Sequence, residues 1–447
     1  MEIKNKNINV EELDKLTKKY LKDDKHTVLR HALSKDPMTN VLSVLEAENV
    51  IEQKFSVENK TLRVCNQKQS GRCWIFAGLN VLREIVAKEL KVDDFELSQN
   101  YIAFYDKLEK TNHALNVCIE LVDREHDDRE LMHILQNGFG GDGGQWDMFA
   151  NLVRKYGIVP KQVFKETAQS SGTASIDAIL DSVVRKFAAD SHKLHELGED
   201  DKIAKLKENL MNKVYALLCD SFGVPPKKFD FDYVDKEGKY HILKNQTPHK
   251  FFEKYIGDRI NNYVSLINSP TKDKPFGKTV TIKYLQNVEE GHKVVHLNLP
   301  MERIKELVIE TLKNGELVWF GSDVSSYRNR ELGAWDDNLF DYSTAFGLDI
   351  KFDKEDMLDF HQSVMNHAMV IVGVNLDKDG NATKWKIENS WGDTGEKGFY
   401  VMSGSWFDRY TYQAVVDKKY LNAEELKALE EEPKLVPPWD PMGTLAD

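Results

Sequence analysis

Cysteine is scarce in this 447-residue chain. Cys65, Cys73, Cys118 and Cys219 lie far apart, without the close spacing of a disulfide framework, so reduced thiols are expected. Long apolar runs are missing: no stretch reaches the ~18–20 residues that span a bilayer, and no membrane partner is expected. The first residues, Met-Glu-Ile-Lys-Asn-Lys-Asn, lack the apolar core of a signal peptide, which makes the cytoplasm the expected compartment. Positive charge is in deficit. The formal net charge of −12 argues against nucleic acid as a partner, and the four lysines from Lys272 to Lys283 read as a solvated loop. Metal motifs are absent too. There is no Cys-x-x-Cys or His-Glu-x-x-His, and His192 and His195 have no matching Glu or Cys, so no metal site is expected. The rest is ordinary for a globular protein: 41% hydrophobic, 30% charged, and long enough for two or three structural regions.

Against that background one stretch stands out. Asn66-Gln67-Lys68-Gln69-Ser70-Gly71-Arg72-Cys73-Trp74 runs into Ile75–Val86, which is too apolar for one solvent-facing stripe and predicts a helix buried nearly all round. Cys73 falls at that helix's N-terminus, where orphan N–H groups and the helix dipole favour a thiolate. Two readings stand at this point, a nucleophile and a buried structural cysteine.

Helical spacing recurs at 10–16 and 39–45, then at 98–110 with Ser98 as N-cap, at 115–122, and from Trp146 to Tyr156. Between them, Asn137 to Trp146 is dense in glycine. That density suits close backbone approach; a flexible loop and a phosphate cradle are the alternatives, the latter opposed by Asp142 and a missing Gly-Lys-Ser/Thr. Residues 158–290 are charged, with helical stretches at 178–187 and 203–221. Pro300 and Gly315 bracket a helix, a strand follows at 317–320, and the chain then reads mainly as β.

His367-Ala368-Met369-Val370-Ile371-Val372 predicts a strand, Asp377 to Gly380 a turn, and Lys384 to Gly392 a returning strand. Antiparallel pairing about that turn sets His367 opposite roughly 389–391, within reach of Asn389. An Asn oxygen can accept from one imidazole nitrogen and leave the other to face a thiol. A calcium loop ending at Glu388 is the rival, but Ala382 stands where the loop needs glycine. A plain core hairpin is the other. A helix-start cysteine, a strand-start histidine and a nearby asparagine together favour nucleophilic catalysis.

Gln67, Cys73-Trp74, Gly143-Gly144, His367-Ala368 and Asn389-Ser390-Trp391-Gly392, in that order, resemble the papain-type cysteine peptidases. Asp142-Gly143-Gly144-Gln145-Trp146 and Trp439-Asp440-Pro441-Met442-Gly443 resemble the bleomycin hydrolase and bacterial aminopeptidase C branch. The resemblance implies an α+β, papain-like fold, a helical domain on an antiparallel, barrel-like β domain. It divides the chain into an N-terminal helical arm (1–60), the nucleophile half (61–157), a mainly helical insertion (158–290), the β half (291–415) and a C-terminal helix and arm (416–447). It implies a hydrolase with Cys73 as nucleophile, His367 as base and Asn389 as its orienter. Gln67 would be an oxyanion donor, Trp391 a shield over the His–Asn pair, and Gly143 and Gly144 would bind substrate backbone. No cofactor is implied. Short peptides are the implied partners, and a homo-oligomer, often a hexamer, the implied assembly.

The tail sharpens this. Prolines stop an acidic helix capped by Asn422, yet Trp439, Met442 and Leu445 are poor choices for a solvated end. In the resembling family the C-terminal arm enters the cleft, and its carboxylate pairs with the substrate's free amino end. The resemblance also implies removal of Asp447, leaving Ala446 as the working terminus. An aminopeptidase is the expected activity; an endopeptidase paralogue and a non-catalytic binding protein are the alternatives.

Overall fold

Helix Cys73–Leu90 forms where the apolar pattern places it, and every position from Cys73 to Arg83 is buried. It stops at Lys91, whose left-handed backbone (φ 56°, ψ 48°) lets its N–H close on Ala87 and Lys88 carbonyls. The computed structural model describes residues 7–48 and 51–445. Ser98 caps the next helix by accepting from Tyr101 N–H, as its side chain and position lead one to expect.

That helix runs unbroken from Gln99 to Glu120, where the sequence reads as two. In the gap between them Thr111 is buried and its Oγ1 donates to Lys107 O at 2.7 Å, while the His113 ring lies 3.0 Å from both Glu289 Oε1 and Tyr284 O. The expected helix at 39–45 is instead two single turns, Met38–Val41 and Leu45–Glu48. Helices Ala174–Glu196 and Asp201–Phe222 cover the helical stretches expected at 178–187 and 203–221.

The rest of 158–290 adds four strands to these helices. Taking the strands in chain order, β1 is Val57–Glu58, β2 Phe229–Val234, β3 Tyr240–Gln246, β4 Tyr263–Ile267 and β5 Lys278–Ile282. β6 is Val295–Asn298, β7 Val318–Ser322, β8 Arg328–Asn329, β9 Ala334–Trp335 and β10 His367–Leu376. β11 is Ala382–Glu388, β12 Phe399–Ser403, β13 Thr411–Asp417 and β14 Lys434–Val436. β2 and β3 make a separate hairpin. β4 and β5 belong to the main sheet, ordered β14-β5-β6-β4-β13-β7-β10-β11-β12-β9-β8, with β1 beside β10. Their Tyr-Val-Ser-Leu-Ile and Lys-Thr-Val-Thr-Ile runs are rich in β-branched residues, a short signal outweighed by the charge around them.

The sheet is mainly antiparallel and buried on both faces. Trp319, Ala368 and Val370 pack toward the nucleophile helix, while Val318, Phe320 and Met369 pack toward helix Met301–Lys313 and Trp385. The thiol-bearing helix therefore lies directly on the strand that begins with His367. On another face Gly78 lies against helix Trp146–Tyr156, where a Cβ would sit 2.7 Å from the buried Phe149 ring. Gly78→Ala is expected to overpack this helix–helix contact and destabilise the protein by about 1–3 kcal/mol, read from the midpoint of urea unfolding.

Candidate active site

Cys73 owes its position to the loop before it. Arg72, itself buried, binds Glu166 at 3.0 Å and Ser70 Oγ at 2.9 Å, while Gly71 N–H donates to Asp142 at 2.8 Å. The loop cannot swing, so the first helical residue is set. Ala368 N–H points at Cys73 Sγ from 3.3 Å, bringing the start of β10 against the thiol.

His367 is 2% exposed, and its Nε2 lies 2.9 Å from Asn389 Oδ1. The same oxygen accepts from Ser390 N–H at 2.8 Å, and this second bond fixes which way the amide is turned. Nε2 therefore carries the proton and Nδ1 is the basic nitrogen. The pairing differs from simple opposition. β10 and β11 pair from Val370–Glu388 onward, so Asn389 stands beyond the ladder and meets His367 diagonally. Burial pushes the imidazole down to about 4; the Asn389 bond works against this, and Arg328 and Arg330 add to it. The Trp391 ring lies 4.9 Å from that imidazole, with the Arg328 and Arg330 guanidinium groups over it at 5.4 and 4.9 Å. The two arginines were not picked out from the sequence; the Arg-Asn-Arg run at 328–330 was the available signal.

Gln67 is tied to the same corner. Its Oε1 accepts from Ser390 Oγ at 2.7 Å, its N–H donates to Ser390 O at 2.9 Å, and its Nε2 donates to Ser70 O at 2.6 Å. One amide hydrogen of Nε2 remains for another acceptor. Ser390 thus couples Gln67 to Asn389, a role the sequence reading did not assign. Gly144 has a packing reason of its own: a Cβ there would lie 2.5 Å from the Trp74 indole, whose Nε1 donates to Asp142 O at 2.7 Å. Gly143 lines the adjoining cleft, its carbonyl held by Lys110.

That cleft, about 720 Å³, lies between the glycine loop, the Met365–Asn366 segment before His367, and the tail from Pro438 to Leu445. Gln145 Nε2 donates to Thr444 O at 2.6 Å and holds the tail beside the glycine loop. Ala446 and Asp447 lie outside the described residues.

Behind the site is an ion pair with no expectation in the sequence. Arg83, on the nucleophile helix, reaches Glu388 at 2.7 Å, and Asn80 Nδ2 adds a bond of 2.9 Å to the same oxygen. Both charged side chains are shut off from water. Glu388, weighed above only as a calcium ligand, turns inward to this pair. Asp377 at the hairpin tip is occupied by Asp379 and Asn381.

A thiol at a helix start and an imidazole steered by an amide define a cysteine hydrolase, and the helical layer on this sheet is papain-like. The protein is a cysteine peptidase. More particularly, the chain belongs to the peptidase C1-like family, whose model matches residues 7–443. It is similar to aminopeptidase C of Lactobacillus delbrueckii subsp. lactis, 42% identical over 446 residues and 99% of each chain. Aminopeptidase C of Streptococcus thermophilus is 42% identical over 97% of this chain and 98% of its own. Among solved structures, PepW from Lactobacillus rhamnosis HN001 superposes with a TM-score of 0.96 at 41% identity, covering 99% of this chain and 100% of its own.

Two outcomes follow from the geometry. Glu388→Gln leaves Arg83 with only the half-buried Glu84, 3.4 Å from its Nε, as counter-charge, and is expected to cost up to about 3–5 kcal/mol in denaturant unfolding, whereas the apolar pair Arg83→Met with Glu388→Leu recovers most of it. Replacing Arg328 and Arg330 together with Gln removes two cations that disfavour imidazolium. The His367 pKa rises from about 4, so the acid limb of the kcat/KM profile, set by the imidazole that must accept the thiol proton, moves to higher pH.

Proposed function

We propose that this cysteine aminopeptidase releases residues from the free amino ends of short peptides in the cytoplasm, through an acyl-enzyme formed on Cys73. Cys73 gives its proton to Nδ1 of His367 and attacks the scissile carbonyl as a thiolate. The oxyanion takes hydrogen bonds from the remaining Gln67 Nε2 hydrogen and the Cys73 N–H. His367 then protonates the departing amine and later draws a proton from the water that releases the acyl group. Burial makes an isolated imidazolium unfavourable at His367, so the proton rests there only while the thiolate faces it. Asn389 holds the ring through both steps, and Trp391 keeps water from the bond between them.

The observation that carries the exopeptidase reading is the tail, held along the cleft by the Gln145–Thr444 bond. A carboxylate just beyond it, that of Ala446 once Asp447 is removed, would pair with the substrate's ammonium and leave no room for a longer chain. Self-association into a homo-oligomer, a hexamer by resemblance, draws support from helix Val10–Tyr20. No residue of that helix is buried, and Val10 and Leu16 are 73% and 61% exposed.

The decisive comparison is turnover of one fluorogenic peptide with a free and with an acetylated amino end. A strong preference for the free amine is expected, and equal turnover would falsify the aminopeptidase reading. Cys73→Ala is expected to abolish hydrolysis in a folded protein. Gln67→Ala should lower kcat by roughly 10²–10³-fold.

A further inference from the structure

Peptide hydrolysis does not account for the Trp439–Gly443 run, yet it is held at several points. Upstream of it, β14 pairs in parallel with β5. The Trp439 ring then lies against the Arg129 guanidinium at 3.8 Å. Asp440 divides its two oxygens. Oδ1 accepts from Met442 N–H at 2.8 Å and starts a tight turn over Pro441–Gly443, while Oδ2 meets Lys274 Nζ at 2.8 Å. Met442 is buried, and a Cβ on Gly443 would come within 3.0 Å of Ile282, so the turn lies flat on β5.

The four lysines from 272 to 283 were expected to be a solvated loop, and three of them are committed to carboxylates elsewhere in the chain. Lys278 pairs with Glu431 at the surface and Lys283 with Glu130. Lys274 is the exception in burial, only 4% exposed with Asp440 at 5%, side chain against side chain. Its own loop is fixed, because its carbonyl accepts from Asn298 Nδ2 at 2.7 Å. This is a rigid cation inside the body of the protein, set opposite the one carboxylate that starts the tail's last turn.

We propose that Lys274 is a specificity-determining residue: through its buried ion pair with Asp440 it fixes the point from which the tail enters the cleft. The proposal rests on the tail reading given under Proposed function. Two buried charges in contact are stable only together, and removing one leaves the other costly where it stands. A core segment would then lose stability. A chain end has an easier course, since Asp440 can return to water by lifting the tail off β5. Freed tails no longer block the cleft, and longer or amino-blocked substrates gain access. The two sides of the pair are not equivalent. Without Lys274, Asp440 has no other cation in contact among the described residues; without the Asp440 charge, Lys274 keeps Asp273 at 3.0 Å. Lys274→Met should therefore release the tail further than Asp440→Asn, which retains an oxygen to cap Met442.

The test uses the full chain and the same free-amine and acetylated peptides. In Lys274→Met the ratio of kcat/KM values, free over acetylated, is expected to fall at least tenfold, chiefly by a gain on the acetylated substrate. Asp440→Asn should show a smaller fall in the same direction, and it stands in if Lys274→Met does not fold. Added trypsin should cut after Lys434 faster in both variants than in the parent protein, as read by mass spectrometry. A version lacking residues 444–447 separates the two layers of the argument. If that truncation abolishes the preference while both substitutions leave the ratio and the tryptic rate unchanged, the role of Lys274 is overturned and the tail reading stands. If the truncation leaves the preference intact, the tail reading itself is overturned.

Discussion

A guanidinium and a carboxylate that are both removed from water have few acceptable arrangements, and the Arg83–Glu388 pair has one. Arg83 sits on the helix that starts at Cys73, and Glu388 immediately precedes Asn389 on the returning strand. Holding those two charges in contact fixes the helix against the hairpin in both height and rotation, and the places of Cys73 and Asn389 follow from it. Asn80 adds a second bond from the same helix to the same oxygen. An apolar interface could pack in neighbouring registers at similar cost; a buried pair with a 2.7 Å contact discriminates among them.

A second set of interior charges performs the same service for the loop before the nucleophile. Asp142 accepts from Gly71 N–H, Lys107 and Thr173, and so joins the Cys73 loop, the helix Gln99–Glu120 and the start of helix Ala174–Glu196. Lys107 is shared with Asp177, whose carboxyl is pushed up to about 6 by burial. The helical insertion is thus wired into the back of the site rather than appended to it. Gly144 completes the arrangement by letting Trp74 lie flat beneath the glycine loop.

Much of this was legible wherever the signal was local. Ser98 and Asn422 as caps, Pro300 ahead of its helix, the buried run after Cys73 and the turn at Asp377 depend on neighbours in sequence, and each appears where its residues place it. The aminopeptidase relationship was legible from the motifs. What escaped notice depends on partners far along the chain. Lys274 reads as solvated until Asp440 is seen beside it, and Glu388 as a calcium ligand until Arg83 is. β4 and β5 were hidden for a similar reason: each is five residues of modest alternation, and only the sheet gives them an identity.

The order of the chain carries one more consequence. Cys73 and the amide that faces it, at Ala368, are 295 residues apart, and the strands flanking β10 come from 318–322 and 382–388. Pairings of such long sequence separation close late, after the loop entropy between them has been overcome. During synthesis the helix headed by Cys73 therefore leaves the ribosome long before His367, the base of the proposed mechanism, is made. Under that mechanism the peptidase is chemically silent while it is a nascent chain, surrounded by other unfolded polypeptide, and becomes reactive only when the sheet that carries His367 has closed over Cys73.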